Sequence, residues 1–255
     1  MHNYNKTFGS KDSLYATVSP IGATVVKLTY YGQDLIYPLK GIDSLSRRRG
    51  GIPICFPYFG SPTGRYSDLP RHGWLRDEKL EFFGESDNEG FFFGRSKPTK
   101  EYPWELEYRV SVLIDPEAAS LKLELEVVRV DDGLLSLPAP INPGFHPYFC
   151  GDPNHSISEL FASVNGKLIT EFHQNAAMIA SEGKVFVRSG NHNLKLSAPE
   201  CSCLVLWSDS PKKESAYFCV EPILMKPATF GDCDGGRFLQ IGEDLKMTFS
   251  LAVVR

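Results

Sequence analysis

The sequence has no apolar run approaching the ~18 residues of a membrane span, and its first residues, MHNYNKTFGSKDSLYATVSP, lack the apolar core of a secretory leader. These absences predict a soluble, cytoplasmic protein without membrane contacts. A basic excess is missing too: 27 Lys and Arg stand against 31 Asp and Glu, for a formal net charge of −4. A chain without a basic footprint is not expected to bind nucleic acid. The six cysteines, Cys55, Cys150, Cys201, Cys203, Cys219 and Cys233, form no CxxC pair of the kind that marks zinc or redox centres, so they read as buried thiols and no metal site is expected. Cys201 and Cys203 make a C-x-C, which on a strand would set both thiols on one face. No window of helical length carries an apolar stripe at i, i+3, i+4, i+7. No internal repeat, low-complexity linker or charge block marks a boundary, so residues 1–255 read as one domain, a length within the range of a large all-β unit.

What is present has a period of two. In LKLELEVVRV, Leu121, Leu123, Leu125 and Val127 fall on one face and Lys122, Glu124 and Glu126 on the other, the alternation of a half-buried strand. YRVSVLID ends at the turn signal Asp115-Pro116. The C-terminal LKMTFSLAVV puts Leu245, Met247, Phe249, Leu251 and Val253 on one face. TVVKLTYYGQDLIYP reads as two strands joined at Gly32, and NHNLKLSAP and SCLVLWS add two more. The 22 glycines and 18 prolines fall between these runs, as the turns of an antiparallel sandwich require. The predicted fold class is all-β, a large antiparallel β-sandwich. Residues 46–74 and 131–152 are rich in Pro, Gly and aromatics, and read as long functional loops.

Three stretches carry candidate chemistry. In RRRGGIPICFPYFG, an arginine beside a Gly-Gly pair can present its guanidinium to an oxygen-rich ligand, because the missing side chains permit close approach; Arg47 and Arg48 read as a solvated basic loop. His72, in RHGW, reads by itself as a turn histidine. In INPGFHPYFC, Pro147 holds His146 extended, and Phe145, Tyr148 and Phe149 can shelter the imidazole. The residues alone leave two readings of His146 open, a core histidine satisfied by a carbonyl and a group poised to titrate. In SAYFCVEPILMKP, Glu221 follows an apolar run, where a carboxylate is costly unless paired; such positions are enriched in general bases.

The ordered set Arg-Gly-Gly-Ile-Pro with Cys-Phe-Pro and Phe-Gly (49–60), His-Gly with an arginine four residues past the histidine (72–76), His-Pro-Tyr-Phe (146–149) and Cys-Val-Glu-Pro (219–222) resembles the aldose 1-epimerase (mutarotase) superfamily. RGGIPICFPYFG is most similar to the hexose-6-phosphate 1-epimerase branch, and NPGFHPYF also to galactose mutarotases. The resemblance implies a supersandwich with a sugar cleft across one face, and cofactor-free interconversion of the α and β anomers of a hexose or hexose 6-phosphate. The partner is then a small sugar or sugar phosphate. By resemblance, Glu221 is the general base, His146 the acid at the ring oxygen, and His72 a second histidine polarising that oxygen. Arg49 grips a hydroxyl or phosphate, and Arg76 sits where the phosphate branch has another basic residue. Arg71 has no firm counterpart. The family's substrate-binding aspartate has no match, with Glu171, His173 and Asp209 as substitutes. Trp74, Phe59, Tyr58 and Tyr148 are candidates for an aromatic platform. A non-catalytic carbohydrate-binding sandwich would need the aromatics and Arg49 but not the Glu221 and His146 pair, and a glycoside hydrolase or lyase would need a second carboxylate.

Overall fold

A computed structural model describes residues 5–39, 49–84, 86–130, 137–151, 162–164, 167–169, 176–179, 185–208, 216–225 and 236–254. Arg47, Arg48, Glu171, His173, Asp209 and Cys233 lie outside them. The described residues are almost entirely antiparallel β-structure, with two single-turn 3-10 helices, Gly64–Tyr66 and Leu75–Asp77. No helix among them is long and apolar enough to cross a membrane.

The strands predicted from alternation form the centre of a nine-stranded sheet. Ser120–Arg129 pairs with Leu106–Asp115 on one side and Asp244–Val253 on the other. Leu121, Leu123, Leu125 and Val127 are fully buried, as are Met247 and Phe249 on the neighbouring strand. The opposite face is wet, with Lys246 paired to Glu124 and Glu126 across the strands. The Asp115 carboxylate closes the intervening turn by accepting from the Glu117 and Ala118 N–H groups at 3.0 and 2.8 Å, which is how an Asp at a turn entry replaces lost ladder bonds.

A six-stranded sheet packs on this one. It runs from Ala176–Ile179 through Cys203–Trp207 and Tyr217–Ile223 to Gly144–Phe145 and Ile54–Cys55, with Tyr148–Cys150 also on Tyr217–Ile223. Leu204, Leu206, Phe218, Val220, Phe145 and Phe149 point into the interior shared with the nine-stranded sheet. Phe145 and Phe249 meet across the sheets with ring centroids 5.4 Å apart. A side chain's neighbours along a strand point the other way, so Cys203, Val205, Trp207, Cys219 and Glu221 are turned to the far face. That face carries the site.

Two expectations need correction. The regions 46–74 and 131–152 are not free loops: their described parts contribute Ile54–Cys55, Ala139–Ile141, Gly144–Phe145 and Tyr148–Cys150 to sheets. Their prolines disguise strands that are short and broken. The C-x-C does not sit on one face, because the strand begins at Cys203. Cys201 packs in the main core, whereas Cys203 joins a small cluster with Cys55, Phe59, Val205 and Ile223. TVVKLTYYGQDLIYP does form a hairpin, although its second strand is only Gln33–Asp34.

Candidate functional site

Tyr217–Ile223 is buried along its whole length, and Glu221 is 2% exposed. Its neighbour in the sheet is interrupted. Gly144 pairs with Ile223, and Tyr148 with Cys219, but at His146-Pro147 the ladder lapses. Proline has no N–H to continue it, and the His146 N–H instead donates to Pro53 O at 2.9 Å. The register carried through this gap puts His146 opposite Glu221. Their side chains meet with His146 Nε2 3.2 Å from Glu221 Oε1.

That contact is close without being aligned as a hydrogen bond, and Glu221 Oε1 and His146 Nδ1 are buried without a hydrogen-bond partner. Burial pushes the Glu221 carboxyl up to about 8, against a hydrogen bond from Cys219 and the positive charges of Arg71 and Arg49. Burial also pushes the His146 imidazole down to about 3, assisted by Arg76, Arg49 and Arg71. Two coupled groups this close titrate as a unit: between those values the pair holds one proton. The Tyr148 ring stacks on His146 with centroids 4.7 Å apart and planes 10° apart, which fixes the plane of the imidazole.

His72 reaches the same place from a strained turn. It has φ +67°, in the left-handed region, followed by Gly73 at φ +68°. A Cβ on Gly73 would lie 2.0 Å from Phe56 O, so only glycine lets this turn close on the 56–60 segment. The His72 N–H donates to Gly60 O at 2.7 Å, and the Gly60 N–H donates to His72 Nδ1 at 3.1 Å. A ring that accepts at Nδ1 and stays neutral carries its proton on Nε2. Neutrality is secured by burial and by the facing His146 and arginines, which push the pKa far down. The Arg71 Nε–H lies 3.1 Å from that Nε2. Both contacts aim an N–H at a ring nitrogen, and a neutral imidazole accepts at only one of its two nitrogens, so the Gly60 and Arg71 N–H groups compete for the ring.

Arg49 enters through the Gly-Gly turn. A Cβ on Gly51 would stand 2.5 Å from Val25 O, and the backbone passes that close only because none is there. The Arg49 guanidinium lies over the Trp207 ring, 4.7 Å from its centroid, and hydrogen-bonds Tyr148. Arg76 sits in the 3-10 turn, half-exposed, with its Nε 3.6 Å from Asp77. Arg49, Arg71, Arg76, His72, His146 and Tyr148 line one cleft that opens to solvent.

All five site residues from the sequence therefore come together: Glu221, His146, His72, Arg49 and Arg76. Sequence reasoning undervalued Arg71 and missed Trp207. The strand alternation in SCLVLWS was the available signal for Trp207, since it pairs opposite Cys219, two residues from Glu221 on the same face. Of the four aromatic candidates, Tyr148 alone lines the cleft. Tyr58 is in the core with its hydroxyl donating to Pro70 O at 2.7 Å. Trp74 packs on Tyr102, and Phe59 buttresses the rings of His72 and His146.

Comparison with known proteins gives a consistent picture. The family described as aldose 1-epimerase matches residues 7–185. Among solved structures, the fold is similar to a galactose mutarotase related enzyme from Lactobacillus acidophilus (TM-score 0.75, 17% identity, 99% of this chain and 98% of that one). It is also similar to a galactose mutarotase-like protein from Lactobacillus casei (TM-score 0.74, 18% identity, 98% and 100%) and to galactose 1-epimerase from Lactobacillus acidophilus NCFM (TM-score 0.74, 16% identity, 97% and 93%). At these identities the likeness concerns the fold.

Proposed function

The chain belongs to the aldose 1-epimerase family, and on that premise we propose that it interconverts the α and β anomers of a hexose, with a hexose 6-phosphate as the substrate its arginines favour. The observation that carries this reading is the buried pair His146 and Glu221, 3.2 Å apart, with His146 lining an open cleft and a Glu221 carboxylate oxygen that has no hydrogen-bond partner.

The reaction asks for two proton transfers in opposite directions. The reactive form of the pair is the one in which its single proton has passed from Glu221 to His146: the Glu221 carboxylate then takes the proton of the O1 hydroxyl while the protonated His146 gives one to the ring oxygen. The C1–O5 bond breaks and C1=O1 forms. After rotation about C1–C2, O5 attacks the other carbonyl face, returns its proton to His146, and O1 recovers its proton from Glu221. The pair ends with the single proton it began with. His72 Nε2–H, held neutral, donates to the ring oxygen as charge develops there. No step needs a cofactor.

Substrate preference follows from charge. Arg49, Arg71 and Arg76 line the cleft, whereas Asp77 is its sole carboxylate among the lining residues described. Guanidinium forks suit a phosphate's oxygens, and Arg49 is stiffened for that task by Trp207 and Tyr148. The test is exchange NMR on glucose, galactose and glucose 6-phosphate. The expected result is enzyme-accelerated anomer exchange, fastest per unit of substrate for the phosphorylated sugar. Binding without acceleration would make the protein a carbohydrate-binding module, and release of a reducing sugar from a glycoside would make it a hydrolase.

A further inference from the structure

The strand that carries Glu221 also carries Cys219, two residues earlier and on the same face. The ligand atoms of His146, Cys219 and Glu221 all lie within 4.8 Å of one another, and all three residues are buried. We propose that this triad is an inhibitory site for a soft or borderline divalent cation, of the class of Zn²⁺ or Cd²⁺, which enters from the sugar cleft and occupies the acid–base pair.

One edge of the triad already has the spacing such an ion needs, and the thiol lies within 4.8 Å of it. Tetrahedral zinc with nitrogen and oxygen ligands at ~2.0–2.2 Å spaces those two donors about 3.4 Å apart, close to the 3.2 Å between Nε2 and Oε1. A thiolate ligand at ~2.3 Å adds a third corner about 3.6 Å from the oxygen. One imidazole, one thiolate and one carboxylate are the donor types that select Zn²⁺ over Mg²⁺ or Ca²⁺, which prefer oxygen alone. Glu221 Oε1 is already stripped of water and without a hydrogen-bond partner, so part of the desolvation is met before the ion arrives. Of the three, His146 lines the cleft.

Two features mark the site as inhibitory rather than resident. Resident metal-binding imidazoles hand their second ring N–H to a carbonyl or carboxylate, whereas His146 Nδ1 has no such partner. Arg49, Arg71 and Arg76 also set positive charge around the cleft, which opposes a cation. Affinity is therefore limited, and the sugar competes. That last clause rests on the anomerase reading, because the ion would take the two atoms that ring opening uses.

The test titrates Cd²⁺ into metal-free full-length protein and follows the ultraviolet thiolate-to-cadmium band. The band is expected to appear, to be absent with Mg²⁺, and to be lost in Cys219→Ser. His146→Asn should weaken cadmium binding by at least about tenfold, and serves alone if Cys219→Ser does not fold. In parallel, Zn²⁺ should inhibit anomer exchange competitively with sugar, with an inhibition constant at least about tenfold weaker in Cys219→Ser. A missing band, or a band that survives both substitutions, overturns the site. A Cys219-dependent band in a protein that exchanges no sugar keeps the site and overturns the anomerase reading instead.

Discussion

His146 Nε2 and Glu221 Oε1 face each other at 3.2 Å across the one place where the ladder between their strands lapses. The register on either side of the gap sets the two residues opposite each other, where side chains of an antiparallel pair meet. If this pair performs both proton transfers, Glu221→Gln and His146→Ala should each lower anomer exchange by roughly 10²-fold or more, measured by exchange NMR with circular dichroism as the folding control. Near wild-type rates in both folded variants would remove the mechanism.

The pH profile reports how many protons the pair holds. Glu221 is faced by Cys219 from its own strand, by His146 and Tyr148 across the broken ladder, by Cys55 from the strand beyond, and by Arg49 and Arg71 from the turns. Its folded pKa of about 8 lies above the ordinary carboxylate value, and that of His146, about 3, lies below the ordinary imidazole value. One proton thus stays on the pair across neutral pH and is lost above about 8. In metal-free buffer, kcat/KM should be level from pH 6 to about 7.5 and fall as pH rises through about 8. A rate that climbs through pH 8 would mean that Glu221 acts as a lone base and that His146 gives no proton.

Stability carries the same sign. A carboxyl whose pKa is raised on folding keeps its full contribution below the unfolded value near ~4.3 and loses it as pH rises through the folded value. Glu221→Gln should therefore flatten the decline in stability between about pH 5 and 8, read from urea midpoints. An unchanged slope would contradict the raised carboxyl.

Phosphate recognition predicts asymmetric losses. Arg49→Ala and Arg76→Ala should each raise KM for glucose 6-phosphate about 10–100-fold, the equivalent of one charge-assisted contact, and raise that for glucose only a few-fold. Equal losses on both sugars would argue for hydroxyl recognition. Trp207→Leu, which removes the surface under Arg49, should raise the same KM about 3–30-fold with kcat nearly unchanged. A fall in kcat alone would show that Trp207 acts elsewhere.

Gly73→Ala tests the turn under His72. The residue has φ +68°, and a Cβ would lie 2.0 Å from Phe56 O. A destabilisation of about 2 kcal/mol or more is expected in urea unfolding, together with lost activity as His72 leaves Gly60. A neutral effect would mean that the turn relaxes without moving His72.

The sequence made the large sheet legible because its strands are half-buried: Leu121 to Val127 alternate with Lys122, Glu124 and Glu126, and water marks one face. The six-stranded sheet was harder to see. Tyr217–Ile223 is buried on both faces, so it has no alternation, and its partners Gly144–Phe145 and Tyr148–Cys150 are too short and proline-broken to read as strands. The site residues were recognisable because four ordered motifs resemble one family. What those motifs did not contain was cross-strand register, and Trp207 and Arg71 owe their roles to register and to turn geometry.

On the proposed reading, the acid–base pair sits within the sheet, Glu221 on its strand and His146 between two short ones, whereas Arg49, Arg71 and Arg76 hang on turns anchored at Gly51 and Gly73. A change in the turns can retune which molecule is held without disturbing the bond-breaking atoms, and the reverse also holds. Such a division lets one reaction be re-addressed to new sugars by small steps, each leaving a working enzyme behind.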